Sequence, residues 1–410
     1  MKAAELLRNK EFRYLLLTRF SLTIALQMQA VIVGWQIYRL TKDPFSLGLI
    51  GLAEAIPALS VALYAGHIAD IKSRRMILIR SVAVMLFCSL GLLFVNIDDI
   101  VIGLGPEWAV KAMYFYIFIH GFARGFYAPT GFAFLSQLVK REDLTIASTL
   151  NSSSWQIAAI VGPALGGLLF AWIGITLSFT VIVALTVIAI SCLFSIKPKP
   201  IAVYTKKETI KQRLMEGIRF VWNEKVMLNA ISLDLFAVLF GGAVALLPVF
   251  ADEILNVGAE GLGFLRAAPS LGASITMIAL SLSKPISHPG KVLLWCVGAF
   301  GVCILVFGLS QLFWLSMIAL FFSGAFDSVS VVIRSNILQL QTPDHMRGRV
   351  SAVNTMFIGS SNEIGAFESG LAARILGTVP SVVFGACMTL GIVSITAWKA
   401  KALKAYRYKL

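Results

Sequence analysis

The longest uncharged stretch of the chain runs from Leu144 to Ile196, without a single Asp, Glu, Lys or Arg. A helix needs about 20 consecutive apolar residues to cross the hydrocarbon core of a bilayer. The stretch is therefore long enough for two crossings, with a turn near Gly174 between them. This feature restricts the chain to folds that place paired apolar helices in a membrane.

The composition of the whole chain agrees with a membrane location. Of its 410 residues, 58% are hydrophobic and 14% are charged, whereas about 25% of the residues in a typical soluble domain are charged. The formal net charge of +14 could indicate nucleic-acid binding, but proteins of that class carry their charge on an otherwise polar surface. The sequence thus excludes a soluble enzyme, a disordered chain and a nucleic-acid binder. It predicts an integral membrane protein whose partners are the lipid bilayer and a small-molecule substrate.

Apolar runs separated by short polar segments predict twelve membrane helices, which we number spans 1 to 12. They lie near residues 14–38, 45–67, 76–96, 111–138, 145–171, 175–196, 226–250, 262–283, 291–309, 312–339, 350–373 and 379–398. The first run is too long for the core of a signal peptide and has no small-residue cleavage site, so we expect span 1 to remain in the mature protein.

The basic residues are distributed unevenly between the two sides that these spans define. Of 35 Lys and Arg residues, 27 lie in the terminal and connecting segments of one side, 5 lie on the opposite side and 3 lie within spans. Connections on the cytoplasmic side of membrane proteins are rich in Lys and Arg. The distribution predicts a multi-pass protein of a bacterial inner membrane with both termini in the cytoplasm.

A long polar segment, residues 197–225, separates two bundles of six spans, residues 1–196 and 226–410. With an offset of 203 residues, Asn151 aligns with Asn354, and three glycines of the first bundle align with three of the second. The aligned pairs are Gly162 and Gly365, Gly167 and Gly370, and Gly174 and Gly377. Parallel repeats of this kind are typical of secondary transporters, in which the substrate site lies between the repeats near the bilayer midplane.

Three short motifs place polar or helix-bending residues at regular spacing. The first follows span 2 and contains Gly66, Asp70, Arg74 and Arg75. The second lies on span 4, where the i, i+4 and i, i+3 spacing puts on one helical face His120, Arg124 and Tyr127. The third lies on span 5, where a proline bends the helix and glycines allow close packing; it contains Gly162, Pro163, Gly166 and Gly167.

These three segments resemble motifs A, B and C of the major facilitator superfamily. Further stretches, among them residues 7–14, 241–248 and 343–350, resemble the branch of that superfamily that contains enterobactin exporters and drug-efflux proteins. The resemblance implies an all-α integral membrane fold of twelve helices in two six-helix repeats. It also implies that Asp70 closes the cytoplasmic side against span 11 near Arg347 and Arg349. For Arg124 it implies a part in proton coupling, and for the span 5 motif an association with antiport.

Five ionisable residues lie deep within predicted spans, where each charge costs on the order of a few kcal/mol unless it has a partner or a function. We interpret them as candidates for proton coupling: Glu54, Arg124, Asp234, Asp327 and Glu363. Arg124 and Asp327 occupy equivalent positions in the two repeats, so they can face each other, share substrate or form a structural ion pair. Glu54 has no obvious cationic partner in the sequence, which makes it a candidate proton carrier. Arg334 lies nearer a span end, and we expect its side chain to reach the interface.

A further group of amide and aromatic side chains is a candidate wall for a substrate cavity: Gln27, Trp35, Tyr127, Asn151, Trp155, Phe236, Phe240 and Asn336. Aromatic rings combined with scattered amides suit an amphipathic, partly aromatic cargo such as a siderophore or a drug. The alternative is that these side chains face lipid or neighbouring helices.

The combined interpretation is a secondary active transporter that works as a monomer and exports a small amphipathic molecule in exchange for protons, by alternating access. No cofactor or metal is expected, because the proton gradient supplies the energy. Uptake of a solute and movement of a lipid or lysolipid are the alternatives within the same fold. The sequence lacks a phosphate-binding loop and its His residues are scattered, which argues against an ATP-driven pump and a membrane-embedded enzyme. The motif A and motif C elements argue against a sensor that does not transport.

Overall fold

The structure is a computed structural model that describes residues 6–200, 210–283, 286–343 and 346–407, without the side chains of residues 62, 63, 66, 67, 70, 210–214, 347, 348, 352 and 355. Within these ranges the chain forms helices and their connections and no β-strand. Eleven of these helices correspond to predicted spans: Lys10–Thr41, Pro44–Ile71, Arg74–Val95, Pro106–Leu138, Leu144–Ser195, Lys225–Phe240, Gly258–Ser281, Pro289–Leu309, Phe313–Gln341, Arg347–Leu376 and Thr378–Lys399. The longest, Leu144–Ser195, holds both span 5 and span 6, so the predicted all-α architecture with twelve spans is confirmed.

Spans 5 and 6 are separated at Gly174, whose φ of +76° and ψ of 177° lie outside the helical region. Residues with a side chain avoid this conformation, whereas glycine adopts it without a steric penalty. The predicted turn near Gly174 therefore lies where the backbone requires glycine.

The apolar character of the spans is uneven. In the described part of the chain, nine helical segments are long and apolar enough to cross a membrane by composition alone. Pro106–Leu138 and Arg347–Leu376 are not among them, although both are long helices. These two helices hold spans 4 and 11, which carry ionisable residues such as Arg124 and Glu363. Spans 2, 7 and 10 also carry ionisable residues and are among the nine segments, so charge alone does not set spans 4 and 11 apart.

Span 7, predicted near residues 226–250, is present as a membrane span but is not one regular α-helix. Its α-helix is followed by a 3-10 turn, a short helix and a π-helical turn, which are Ala243–Leu246, Leu247–Val249 and Phe250–Ile254. Two consecutive glycines, Gly241 and Gly242, disfavour the α-helix at this point. Pro248 then lacks the backbone N–H that a continuing helix would use. The break leaves Asp234 in the first, regular half of span 7.

The chain forms two compact units. Unit 1 consists of Met1–Lys42, Ala53–Lys207 and Gly258–Ala267, and unit 2 consists of Asp43–Leu52, Glu208–Val257 and Ala268–Leu410. The first residues of span 2 thus group with unit 2, and the first residues of span 8 group with unit 1. Each unit has its own buried apolar core, which includes Phe12 and Phe134 in unit 1 and Leu293 and Ile337 in unit 2.

Each unit contains a crossing where two glycines meet backbone to backbone. In unit 1, a Cβ placed on Gly167 of span 5 would lie 2.8 Å from the Cα of Gly263 in span 8. In unit 2, a Cβ placed on Gly370 of span 11 would lie 2.8 Å from the Cα of Gly48 in span 2. Any side chain at these positions would force the helices apart. Gly167 and Gly370 are also equivalent in the internal repeat.

Candidate functional site

Span 4 lies unusually close to span 2 in unit 1, because two glycines one helical turn apart face it. A Cβ placed on Gly121 would lie 2.5 Å from the carbonyl oxygen of Glu54 and 2.5 Å from Cγ of Pro57. A Cβ placed on Gly125 would lie 2.8 Å from the carbonyl oxygen of Ala58. The Gly-x-x-x-Gly spacing allows backbones to approach in this way, and the approach brings the polar face of span 4 against Glu54.

Three ionisable side chains meet at this crossing, and we call them the Glu54 cluster: Glu54, His120 and Arg124. Nη1 of Arg124 lies 2.9 Å from Oε1 of Glu54, and Nδ1 of His120 lies 3.5 Å from the same oxygen. The His120 ring is buried, and its Nε2 has no hydrogen-bond partner in the described part of the chain. The Arg124 side chain is 48% exposed, so one face of the guanidinium can still contact another molecule.

The prediction that Glu54 lacks a cationic partner was wrong. Its partner sits on another span, at a distance set by the glycine contact and not by separation along the sequence. The role of Glu54 as a proton carrier stays a prediction. Arg124 and Asp327 belong to different units, and their predicted proximity stays a prediction.

Unit 2 contains a second group of buried charges, the Asp234 cluster, made of Asp234, Asp327, Ser330 and Arg334. Nη1 of Arg334 in span 10 forms a salt bridge with Oδ2 of Asp234 in span 7, and the two side chains are 5% and 7% exposed. Asp327, Ser330 and Arg334 follow each other at i, i+3 and i+7 on span 10, which places them on one helical face. Asp234, Asp327 and Ser330 line a common cavity.

The prediction that Arg334 reaches the interface was also wrong, because the side chain is buried and held by Asp234. A buried carboxylate at the same depth on a neighbouring helix is a stronger partner for a guanidinium than a distant headgroup region. Sequence reasoning did not single out Ser330, although its spacing from Asp327 and Arg334 on span 10 could have indicated a shared face.

The fifth predicted charge is Glu363 of span 11. It is not part of the ion pairs described for the Glu54 cluster or the Asp234 cluster. A Cβ placed on Gly51 of span 2 would lie 3.1 Å from the Glu363 carbonyl oxygen and 3.5 Å from its Oε2. Glu363 also takes part in a polar interaction. Within the described residues, no group of three or more His, Cys, Asp and Glu side chains could hold a metal ion.

Two arginines of the first motif bind backbone carbonyls within unit 1. Arg74 donates from Nε to the carbonyl of Ala69 at 3.1 Å and from Nη1 to that of Ala133 at 2.9 Å. Arg75 donates from Nε and Nη2 to two carbonyls at the end of span 6, at 3.3 and 2.8 Å. Carbonyls at helix ends lack helical partners and carry partial negative charge, which favours a guanidinium there. The two arginines thus fasten one end of the unit.

The remaining parts of the predicted gate are described only in part. The side chains of Gly66, Asp70 and Arg347 lie outside the described residues. Arg349 forms a salt bridge with Glu216, which belongs to a short helix, Ile210–Asn223, that precedes span 7. The predicted contact of Asp70 with the start of span 11 therefore stays a prediction.

The four residues of the span 5 motif are buried against neighbouring backbone. A Cβ placed on Gly162 would lie 2.6 Å from the Cβ of Gln27, and one placed on Gly166 would lie 2.8 Å from the Cα of Met28. Gly167 makes the crossing with span 8, and Pro163 is buried inside the helix. The glycines are thus explained by the packing of span 5 on spans 1 and 8, whereas a directional role in transport stays a prediction.

The residues predicted to line a cavity differ in exposure. Three of them are exposed: Trp155, Phe236 and Asn336. Trp35 and Asn151 are buried within unit 1, so neither is available to a ligand in this structure. The other three are partly buried, with Gln27 against Gly162, Tyr127 against the unit 1 core, and Phe240 at 6.5 Å between ring centroids from Phe384.

Comparison with known proteins places the chain among membrane transporters. A family model described as transmembrane secretion effector matches residues 3–407. The enterobactin exporter EntS of Shigella boydii serotype 18 (strain CDC 3083-94 / BS512) is 27% identical over 376 residues, which cover 90% of this chain and 87% of that protein. These matches span nearly the whole chain and both units.

Solved structures of other transporters share the fold. A mutant of the nucleoside transporter NupG superposes with a TM-score of 0.75 at 13% identity, covering 95% of this chain and 99% of the other. A D-xylose–proton symporter superposes with a TM-score of 0.69 at 13% identity, covering 95% and 97%. At such low identity the likeness concerns the fold alone.

Proposed function

The chain belongs to the transmembrane secretion effector family of the major facilitator superfamily, and on that premise we propose that it exports a siderophore or drug-like molecule in exchange for protons. It is a secondary transporter and not an enzyme. The similar exporter of Shigella boydii is named for enterobactin, which supports a catecholate siderophore as one cargo to test. The basic residues on one side support an orientation in a bacterial inner membrane with both termini in the cytoplasm.

The observation that carries the proposal is that each unit holds its own cluster of ionisable side chains within its membrane spans. Ionisable side chains inside membrane helices are costly and commonly mark proton relays or substrate pathways. Here Glu54 pairs with Arg124 in unit 1, and Asp234 pairs with Arg334 in unit 2. Each pair joins a carboxylate and an arginine. A proton taken up by the carboxylate would neutralise it and leave the arginine without its partner's charge.

The Glu54 cluster supports competition between cargo and proton, which antiport requires. An ionised Glu54 accepts hydrogen bonds, and the hydroxyl groups of a catecholate or the nitrogen of a cationic drug can donate them. A proton on Glu54 converts this acceptor into a neutral acid and frees Arg124. A proton arriving from outside would thus favour release of the cargo, and loss of that proton to the cytoplasm would restore the acceptor.

Transport in liposomes tests the proposal. We expect purified protein to move iron-free enterobactin or ethidium when a pH gradient is imposed, and to lose that drive when the coupling carboxyl is replaced. The variants are Glu54→Gln, Asp234→Asn and Asp327→Asn, each measured with and without the gradient. Glu107→Gln is the matched control, because Glu107 is exposed and its carboxylate bonds to Lys111 one turn along the same helix. If all three variants still respond to the gradient like the control, these carboxyls do not couple transport to protons.

The direction of transport has its own test. Cells that express the gene should accumulate less ethidium and release more enterobactin than cells without it. Higher accumulation in expressing cells would instead favour uptake, and movement of labelled lysolipid without either probe would favour lipid transport.

A further inference from the structure

We propose that unit 2 binds the headgroup of an anionic phospholipid on a surface formed by the end of the chain and the start of span 9. We call this surface the basic platform, and it consists of Lys291, Lys399, Lys401, Lys404 and Arg407. All five side chains are exposed. The inference concerns the binding of lipid alone, so it does not depend on the proposed export.

The segment that carries most of the platform is fixed to unit 2 by its own contacts. After span 12 the chain forms the short helix Lys401–Ala405. Leu403 of this helix is fully buried and belongs to the same apolar core as Leu293 of span 9. Tyr406 then forms a hydrogen bond with Gln341 at the end of span 10. The basic side chains therefore extend from a docked segment with defined positions.

The start of span 9 lies directly against this short helix. A Cβ placed on Gly290 would clash with the carbonyl oxygen of Leu403 and would lie 3.5 Å from the backbone nitrogen of Lys404. Lys291 follows Gly290 in the chain, so it adds its positive charge beside that of Lys404. Two elements that are distant in sequence thus bring their cations to one place.

The sequence provides no carboxylate within these two elements to balance the cations. Residues 284–310 and 376–410 contain neither Asp nor Glu. Lys401 and Lys404 lie at i, i+3 on one helix, where like charges repel each other. The ammonium of Lys404 donates to the carbonyl of Ala397 at 3.4 Å, which is a neutral acceptor. An anionic group bound at the platform would offset this repulsion.

Two exposed tryptophans indicate that the anion belongs to a lipid. Trp295 of span 9 and Trp398 of span 12 are 80% and 77% exposed. The two spans run in opposite directions and pack together, since a Cβ placed on Gly298 would lie 3.7 Å from Cγ1 of Val393. This register places the two rings within about one turn of the same depth. Trp295 also lies at i+4 from Lys291, on the same face of span 9.

Tryptophan rings at this position in a membrane protein lie at the level of the lipid headgroups. The basic platform therefore borders the headgroup layer, where a phosphate diester carries the negative charge that the platform would attract. This location favours a phospholipid over a soluble acidic protein or a nucleic acid.

Thermal unfolding of the purified full-length protein in a non-ionic detergent tests the site. The melting temperature is measured against the mole fraction of phosphatidylglycerol and of phosphatidylethanolamine with the same acyl chains. Inorganic phosphate at the same phosphate concentration represents a soluble anion. We expect phosphatidylglycerol to raise the melting temperature, and the zwitterionic lipid and inorganic phosphate to leave it unchanged. Added NaCl should weaken the response, because it screens exposed charges.

Variants assign the response to the platform. Lys401→Gln combined with Lys404→Gln should raise the phosphatidylglycerol fraction for half-maximal stabilisation by about 25-fold, or about fivefold for each lysine. The same two positions changed to arginine keep their charge and should respond like the wild type. The matched control is Lys140→Gln combined with Arg141→Gln, which removes the same charge from exposed positions that two acidic residues follow. This control should also respond like the wild type.

Leu403→Ala distinguishes the docked platform from charge alone. It preserves every charge and removes the buried side chain that holds the short helix against unit 2. We expect it to weaken the response to phosphatidylglycerol. Should it fail to fold, the lysine variants still decide, because they change exposed side chains only.

Three outcomes overturn the inference. The first is equal stabilisation by phosphatidylethanolamine or by inorganic phosphate, which would exclude recognition of an anionic lipid. The second is a full response in the double glutamine variant, and the third is an equal loss in the matched control. Export that fails in liposomes while the phosphatidylglycerol response persists would contradict the proposed function and leave this site intact.

Discussion

Replacing Arg334 by glutamine should destabilise the protein far more than replacing its partner Asp234 by asparagine. Arg334→Gln leaves Asp234 and Asp327 as two buried carboxyls without a cation. Asp234→Asn leaves Arg334 with Asp327 as a remaining counter-charge. The two members of the salt bridge should therefore contribute unequally to stability. Asp327 can still neutralise Arg334 when Asp234 is replaced, but no cation of the cluster remains for the carboxyls when Arg334 is replaced.

The magnitude follows from burial. The Asp234 and Arg334 side chains are 7% and 5% exposed, so solvent screens their interaction very little. Removing one member of a buried pair and leaving the other charge uncompensated costs about 3–5 kcal/mol, which we expect for Arg334→Gln. For Asp234→Asn we expect about 1.5–3 kcal/mol, the contribution of a hydrogen bond to a charged group. The double variant should be less destabilised than Arg334→Gln alone.

The assay is reversible unfolding by SDS in mixed micelles, with the free energy of unfolding compared in a double-mutant cycle. The matched control is Arg374→Gln in the same unit, since Arg374 lies 3.7 Å from Asp43 with its side chain 59% exposed. An exposed pair of this kind contributes about 0–1 kcal/mol. If Asp234→Asn costs as much as Arg334→Gln, or if the two effects simply add, the three-group account of the cluster is wrong.

Three further predictions concern unit 1. Gly121→Ala should destabilise the protein by about 1–3 kcal/mol through overpacking against span 2, as measured by thermal unfolding. The control Gly359→Ala should be tolerated, because a Cβ there meets nothing within 4 Å. Equal melting temperatures of the two variants would contradict the close approach of spans 2 and 4. Glu54→Gln should lower the free energy of unfolding by only about 0–1 kcal/mol, since Arg124 is half exposed. The same change should abolish gradient-driven flux of ethidium. A large loss of stability with intact flux would show that the Glu54–Arg124 pair serves structure and not coupling. Arg75→Gln should lower the free energy of unfolding by about 1.5–3 kcal/mol, because its hydrogen bonds to carbonyls of span 6 are lost. Arg75→Lys should recover part of this loss. An unchanged free energy of unfolding in SDS would exclude the anchoring role of Arg75.

The spans could be predicted from the sequence because hydropathy is a local property, read within a window of one helix. The turn at Gly174 was predictable for the same reason, since it lies inside an otherwise uninterrupted apolar stretch. The break in span 7 was missed, because a window average tolerates two glycines and a proline among apolar neighbours. The local signals, Gly241, Gly242 and Pro248, were present and were outweighed by the hydropathy of the segment.

The partners of the buried charges could not be predicted in the same way, since they sit on different spans. Glu54 has no obvious cationic partner in the sequence, and its pairing with Arg124 depends on the distance between spans 2 and 4. That distance is encoded by Gly121 and Gly125, a spacing that indicates close helix packing without identifying the neighbour. Arg334 was assigned by its depth alone, and only the packing of spans 7 and 10 places a carboxylate beside it.

The glycine crossings within the units have a consequence for motion. Gly167 and Gly263 in unit 1, and Gly48 and Gly370 in unit 2, meet without side chains. Such a contact immobilises no rotamers when it forms, and it has no interlocking side chains to disengage when it opens. It can therefore act as a pivot whose separation costs little beyond dispersion contacts between the two backbones. Gly167 and Gly370 are equivalent in the repeat, so each unit contains one such pivot. A methyl group at either position would force the two helices apart.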